Sequence, residues 1–231
     1  MSDLELLKQQ IETLFLHDDG RLLCVNEPDK PAAPRFFLGR TLQGNVWRFR
    51  RNLPEEVVRA LGALARLEPV SERLEAEPVY LRAFQNVLHE HGAVQQVWSG
   101  PAYRFPKSFR SAQHLGVVQV TDANANVLSD FPYQETMLEA VQPCVALLQG
   151  GQAVSVCCSA RTSAGAAEAS LETLGAFRGR GYAAAVVTSW AAAVRAAGRT
   201  PLYSTSWDNP GSHGVAKKLR LKMYASDLHF T

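Results

Sequence analysis

The 231-residue sequence predicts an α/β chain built around a mixed, twisted sheet with helices on both faces. Three observations carry that expectation. Runs with a period of two (VWRFRR, LGVVQV, QAVSVCC) alternate with runs of helical period (LELLKQQIETLF, AAAVVTSWAAAV). The runs are separated by Gly, Pro and Asn/Asp clusters. The order in the second half is strand, turn, helix, strand, helix, strand, the alternation that builds α/β layers.

The elements follow in order. Ser2 and Glu5 fit a capping box, and Leu4, Leu7, Ile11, Leu14 and Phe15 keep helical spacing, predicting a helix over about the first sixteen residues that HDDG breaks. RFFLGRT and VWRFRR around LQGN predict a hairpin, whose Trp47 and Phe49 face one way and Arg48 and Arg50 the other. Pro54, Glu55 and Glu56 suit a first helical turn, and Val57, Leu61 and Leu64 form its apolar stripe up to Pro69. VYLRAFQNVLHEHG predicts a helix stopped by Gly92. SGPAYRFPKS reads as a loop, and a domain boundary is placed there: 1–110 as an N-terminal α/β domain of unassigned type, 111–231 as a second domain.

LGVVQVTD predicts a strand, and ANANVLSDFPYQETMLEAV polar helical turns interrupted near Pro132. CVALLQ and QAVSVCCSAR, joined by Gly150 and Gly151, predict a hairpin in which Cys157 and Cys158 point to opposite faces. AAEASLETL predicts another strand, although its Ala and Glu content also allows a helix; a helix follows with Val187, Trp190, Ala191 and Val194 on one face and Gly198 at its end. PLYSTSW is a short strand. Asn209 and Pro210 open a helix over NPGSHGVAKKLRL, and KMYASDLHF is the last strand. Trp190 and Trp207 are expected in the core.

Composition narrows the classes. A net charge of +2 makes no global case for nucleic acid or membrane as a partner. No apolar run reaches the roughly 18 residues of a membrane span, and MSDLELLKQQ lacks the basic start of a secretory signal. Four cysteines without CxxC or His/Cys spacing predict a reduced, cytoplasmic protein that holds no metal. His89 and His91 diverge on a helix.

The chemistry concentrates in FRGRGYAAAV. A helix start presents unpaired N–H groups and a partial positive charge. Gly179 and Gly181 allow φ > 0 and close approach, and Arg178 and Arg180 add fixed charge. Such a turn suits a phosphate or pyrophosphate. It is neither a Walker loop, since no GK[ST] follows, nor GxGxxG. Taken alone it also fits a tight strand-to-helix turn with solvated arginines.

Arg178-Gly179-Arg180-Gly181-Tyr182-Ala183 resembles R/Q-x-x-G-x-G/A, the pyrophosphate loop of the GNAT N-acetyltransferase superfamily. Asn209, Ser212, Lys218 and Leu219 resemble its second signature, N-x-x-S/A…K-L-G-F. The resemblance runs from Leu115 to the C-terminus and implies a GNAT-like mixed twisted sheet flanked by helices. It implies acetyl-CoA as cosubstrate, with backbone N–H groups from Arg178 to Ala183 holding the pyrophosphate. Thr173 and Leu174 would pair with the pantetheine arm, and Asn209, helped by Ser212, would reach it from the next strand end.

The implied reaction is attack by an amine in a ternary complex, with a strand N–H stabilising the oxyanion. The acceptor is expected to be a small-molecule amine, and the protein a monomer or homodimer. Glu168 and Glu172 are the candidate general bases; four positions apart on one strand, they share a face. Two departures stand out. Arg220-Leu221 replaces the usual Gly-Phe, and Ala216 stands where many members carry an acidic tyrosine; Tyr203, Ser206 and Tyr224 are nearby alternatives. A non-catalytic acyl-CoA-binding module and a nucleotide-binding domain sharing only the turn are the competing readings.

Overall fold

The structure, a computed structural model, describes residues 1–107 and 116–231. His114, Leu115 and the expected 110/111 boundary lie outside the described residues. The chain forms two compact units, each drawn from more than one stretch. One contains Met1–Tyr103, Ser204–Asn209 and Met223–Thr231; the other contains Arg104–Tyr203 and Pro210–Lys222.

In the first unit, helix α1 (Asp3–Leu14) starts at Ser2, where both bonds of the capping box form with Glu5. Strands β1 (Phe15–Asp18) and β2 (Arg21–Val25) pair as a hairpin that the sequence reading missed. Its turn is Asp19-Gly20, both with positive φ (48° and 73°), the twist that two-residue hairpins favour. Strands β3 (Phe36–Thr41) and β4 (Gly44–Phe49) form the expected hairpin.

Helices α2 (Glu55–Leu67) and α3 (Leu81–Glu90) follow, and their Val57, Leu61, Ala65, Phe84 and Leu88 pack on Phe36, Leu38, Leu228 and Phe230. Arg48 lies opposite Phe37, while Trp47 and Phe49 join the α2–α3 core, so the arginine–aromatic alternation marks two faces of a strand.

Strand β5 (Val97–Arg104) replaces the loop expected over SGPAYRFPKS. Ser99, Gly100 and Pro101 argue for a loop by local propensity, but a neighbouring backbone overrides it. Trp207 N–H donates to the Ser99 carbonyl and Thr205 N–H to the Pro101 carbonyl. A Cβ on Gly100 would stand 1.8 Å from the Thr205 carbonyl oxygen, so only glycine permits the approach. Trp207 itself is 37% exposed, a second correction: it caps a surface turn and stays out of the core. Strand β11 (Lys222–Phe230) lies between β3 and β5, giving the order β4-β3-β11-β5.

The second unit carries a mixed sheet. Strands β6 (Val117–Val120), β7 (Cys144–Gln149), β8 (Gln152–Thr162), β9 (Ala166–Thr173) and β10 (Thr200–Ser204) run in the order β10-β9-β8-β7-β6. The β9–β10 pair is parallel and the others are antiparallel. Helix α5 (Tyr182–Ala196) lies on one face, where Trp190 Nε1 donates to Ser159 Oγ at 3.1 Å. On the other face a 3-10 segment (Asp122–Leu128) and α4 (Pro132–Thr136) supply Val127, Leu128 and Phe131 to a core with Cys144, Ala146, Val156 and Cys158. Val187, Trp190, Ala191 and Val194 are fully buried, as their spacing predicts. Helix α6 (Pro210–Lys218) completes the unit.

Candidate functional site

Strand β9 has two different edges. On one side its residues 167–173 pair with β8. On the other, pairing with β10 covers Ala166, Ala167 and Glu168 and goes no further. Among the described residues the β9–β10 pairing stops at Glu168, and no strand pairs with that side of the last five residues of β9. The ladder sets which peptide groups face it. Leu174 N–H donates to the Val154 carbonyl, and in an antiparallel pair the inward-bonded positions alternate. Glu172 and Ser170 therefore bond inward to β8, while Ala169, Leu171 and Thr173 turn their N–H and C=O groups to the open edge.

The edge runs straight into the Gly/Arg turn. A short 3-10 turn (Gly175–Phe177) follows β9, and then Gly179 and Gly181 take φ values of 77° and 86°. A Cβ at Gly179 would meet nothing within 4 Å. Gly181 is the N-cap of the 15-residue α5 and supplies no side-chain cap, and the first turn of that helix contains no acidic residue. Its leading N–H groups thus open onto an exposed turn with no acidic residue in the helix's own first turn to complement them.

The two arginines are held locally. Arg178 Nε donates to the Thr173 carbonyl at 3.1 Å, and the Arg180 guanidinium lies 5.3 Å from the centre of the Phe177 ring. A third cation was not singled out as a site residue from sequence. A Cβ on Gly181 would stand 2.8 Å from Lys218 Nζ, so the last turn of α6 brings this ammonium to the mouth of α5. No local sequence pattern marks that meeting, since 37 positions separate the two residues.

The other candidates divide. Arg178 N–H donates to the Gly175 carbonyl and so is already engaged within the turn. Leu174 N–H is committed to Val154, which leaves Leu171 and Ala169 as edge groups in its place. Tyr182, Ala183 and Ser212 are half-buried at helix starts. β10 ends at Ser204, and Asn209 is exposed at the end of the following turn, its N–H donating to the Ser206 carbonyl.

Glu168 is 3% exposed and belongs to the last β9–β10 pair, opposite Leu202 at the fork. Glu172 is exposed and lies about 13 Å along the strand. They share a parity, as expected, but not an environment. Tyr224 is buried, with its hydroxyl donating to Gln10 Oε1 at 2.7 Å. Ala216 is 3% exposed, packed rather than facing an opening. Arg220, where Gly is usual, adopts φ 53°, so the left-handed end of α6 is kept without the glycine. Among the described residues no group of three His, Cys, Asp or Glu could hold a metal ion. Also among them, no helix is long and apolar enough to cross a membrane.

Chemically, the arrangement offers an anion cradle with helix-dipole complementarity, continuous with an extended edge for a chain bearing amides, and a buried carboxylate at the far end of that edge.

No family model matches the sequence, and no curated protein does. Solved structures do. An acetyltransferase from the GNAT family of Colwellia psychrerythraea is similar over 99% of this chain and 96% of its own, with TM-score 0.52 and 11% identity. A functionally unknown conserved protein from Staphylococcus epidermidis ATCC 12228 is similar over 95% and 94%, with TM-score 0.53 and 11% identity. A GCN5-related N-acetyltransferase-like protein from Streptococcus suis 89/1591 covers 86% and 85%, with TM-score 0.50 and 14% identity. The likeness takes in the first hundred residues, for which the sequence motifs offered nothing. The chain therefore has a GNAT-like fold.

Proposed function

We propose that the protein is an acetyl-CoA-dependent N-acetyltransferase acting on an amine, with a small-molecule amine as the expected acceptor. The observation that carries this is the continuity of the bare β9 edge with the uncapped start of α5. The cradle at Gly179–Ala183 suits a pyrophosphate because it is open, positively polarised and free of acidic side chains. The edge groups of Ala169 and Leu171 and the Thr173 N–H suit an arm with amide donors and acceptors, which would bind there as an added strand; the Thr173 carbonyl is held by Arg178. Asn209 and Ser212 remain candidates for that arm through the motif.

When bound, acetyl-CoA supplies an acetyl group already activated as a thioester. From Glu168 to Thr173 the strand advances about 16 Å, so the far end of an arm anchored at the turn comes to the fork. Glu168 is the carboxylate at the fork, and we assign it the proton of the attacking amine. Glu172, beside the cradle end, is too far along the strand for that task. A strand N–H at the fork would stabilise the oxyanion. The leaving thiolate takes its proton from solvent or from a nearby hydroxyl other than Tyr224, which is committed to Gln10; Ala216 has no proton to give. A thiol with an ordinary pKa of about 8.5 is protonated by water at neutral pH.

The test is thiol release from acetyl-CoA across a panel of amines, with the wild-type protein and with Glu168→Gln and Glu172→Gln. The reading expects amine-dependent turnover that falls at least tenfold in Glu168→Gln with CoA affinity kept, and little change in Glu172→Gln. CoA binding without turnover for any amine would favour a non-catalytic acyl-CoA-binding module, and stabilisation by ATP but not CoA would favour a nucleotide-binding domain.

A further inference from the structure

We propose that the first unit carries a binding site for a small organic carboxylate, in the cleft that Arg35 and Arg50 line. The cleft encloses about 320 Å³, a volume that holds a small metabolite. Its walls are the β2–β3 connection, the end of β4, the α3–β5 connection and the end of the chain after β11, all within that unit. Arg35 is 7% exposed. Its terminal nitrogens spend their donors on main-chain carbonyls at the end of α3: Nη1 on Gly92 and Ala93, Nη2 on Leu88 and His91. These fix the guanidinium in place, but a helix end offers it only about half a negative charge. Arg50 donates from Nε to Asn52 Oδ1 and from Nη1 to the Ala33 carbonyl, both neutral. Among the described residues no carboxylate pairs with either arginine.

Neighbouring arginines are treated differently. Arg21 pairs with Glu55, Arg48 with Glu12 and Arg51 with Asp18. His91, which also lines the cleft, has Glu56 Oε1 3.4 Å from its Nε2. Thr231 lines it too, its backbone oxygen accepting from Gln95 N–H at 2.8 Å. The unit thus supplies acids to three arginines and withholds them from the two that share the cleft, where no acidic side chain contributes to the lining. Burial, and then the nearby Arg50, hold the Arg35 guanidinium below its ordinary value. A buried charge is costly unless paired, and an anion in the cleft removes that cost for both cations. Their roles divide. Arg35 has its terminal donors engaged and acts as a fixed charge. Arg50 Nη2 donates to no group among the described residues and is the donor for a ligand oxygen. The methyl groups of Ala32, Ala33 and Ala93 make the remaining lining apolar in part, which suits a carboxylate on a short apolar body better than a phosphate.

Residue-resolved amide NMR titration of the full chain with butyrate, benzoate and inorganic phosphate tests this, on wild type, Arg50→Gln and Ala93→Phe. Melting curves establish that each variant is folded; Ala93 is exposed, so its substitution is tolerated. The carboxylates are expected to shift the amide signals of Ala33, Gly92 and Ala93 saturably. Arg50→Gln should weaken them on the order of tenfold by removing the donor. Ala93→Phe should weaken them as much by filling the cleft while keeping both charges. Should Arg50→Gln fail to fold, Ala93→Phe decides alone. The absence of saturable shifts at these amides, or carboxylate affinity unchanged in folded Ala93→Phe, overturns the assignment. So does phosphate that binds as tightly as benzoate and survives Ala93→Phe, since that is attraction to surface charge without a built cleft.

Discussion

Two glycines in the turn separate backbone strain from ligand recognition. Gly179 and Gly181 have nearly the same left-handed φ, 77° and 86°. An alanine at either position pays the same steric penalty, about 1–2 kcal/mol, because its Cβ crowds the following carbonyl. For a chain of this size that is a fall in Tm of about 2–8 °C. Their surroundings differ. The added methyl at Gly179 meets nothing within 4 Å, whereas at Gly181 it meets Lys218 Nζ at 2.8 Å. That contact is with the far end of a flexible side chain, so it adds little to the stability loss. It does fill the gap between the ammonium and the helix start. Gly179→Ala and Gly181→Ala should therefore melt alike but bind differently. CoA affinity should fall at least tenfold, about 1.4 kcal/mol, in Gly181→Ala and less than threefold in Gly179→Ala. Thermal melts beside calorimetric titrations decide it. Equal loss of CoA affinity in both, or no loss in either, would refute the placement of the phosphate at the start of α5.

Gly100→Ala should destabilise by about 1–3 kcal/mol or more, because its Cβ would lie 1.8 Å from the Thr205 carbonyl oxygen and 2.9 Å from Ser206 Cα, backbone atoms that cannot swing aside. Gly175→Ala, with nothing within 4 Å, should stay within about 0.5 kcal/mol; denaturant midpoints of the two contradict the account if they coincide. Arg220→Gly should stabilise by about 0.5–1 kcal/mol, since relief of φ 53° exceeds the added freedom of the unfolded chain; a lower Tm would mean that the arginine makes compensating contacts. Burial pushes the Cys144 and Cys158 thiols up to about 12 and the Cys157 thiol well above its usual value. At pH 8 a thiol-labelling reagent should therefore reach the half-buried Cys24 first, and the other three only on unfolding. Above about pH 8.5 the unfolded chain ionises thiols that the folded chain keeps protonated, so stability should decline as pH rises from there toward 12. Rapid labelling of all four cysteines in the native state would contradict this.

What could be read in the sequence follows the range of the interactions. The capping box of α1, the LQGN hairpin, the apolar stripe of α5 and the Gly/Arg turn are specified by residues within a few positions of one another. The strand over Gly100 was hidden because its cause is Thr205, a hundred positions away, whose backbone overrides a loop-forming composition. The β1–β2 hairpin was hidden because Phe15 continues the helical spacing of α1, so Asp-Gly looked like a stop rather than a turn. Of the candidate site, the Gly/Arg turn into α5 was legible as a turn, while Lys218 beside Gly181 and the outward groups of Ala169 and Leu171 depend on where α6 sits and where β10 departs. The equal standing of Glu168 and Glu172 was a consequence of period two alone; the fork distinguishes them.

The central claim is that an acyl carrier lies along the bare edge of β9 and ends on the start of α5. Amide hydrogen exchange, resolved by residue and compared with and without CoA, reads both places at once. The account predicts slower exchange on CoA addition at Ala169, Leu171 and Thr173 and at Gly179 to Ala183, with Ser170 and Glu172 unchanged because they already bond to β8. CoA binding that leaves the β9 edge and the α5 start unprotected would contradict it.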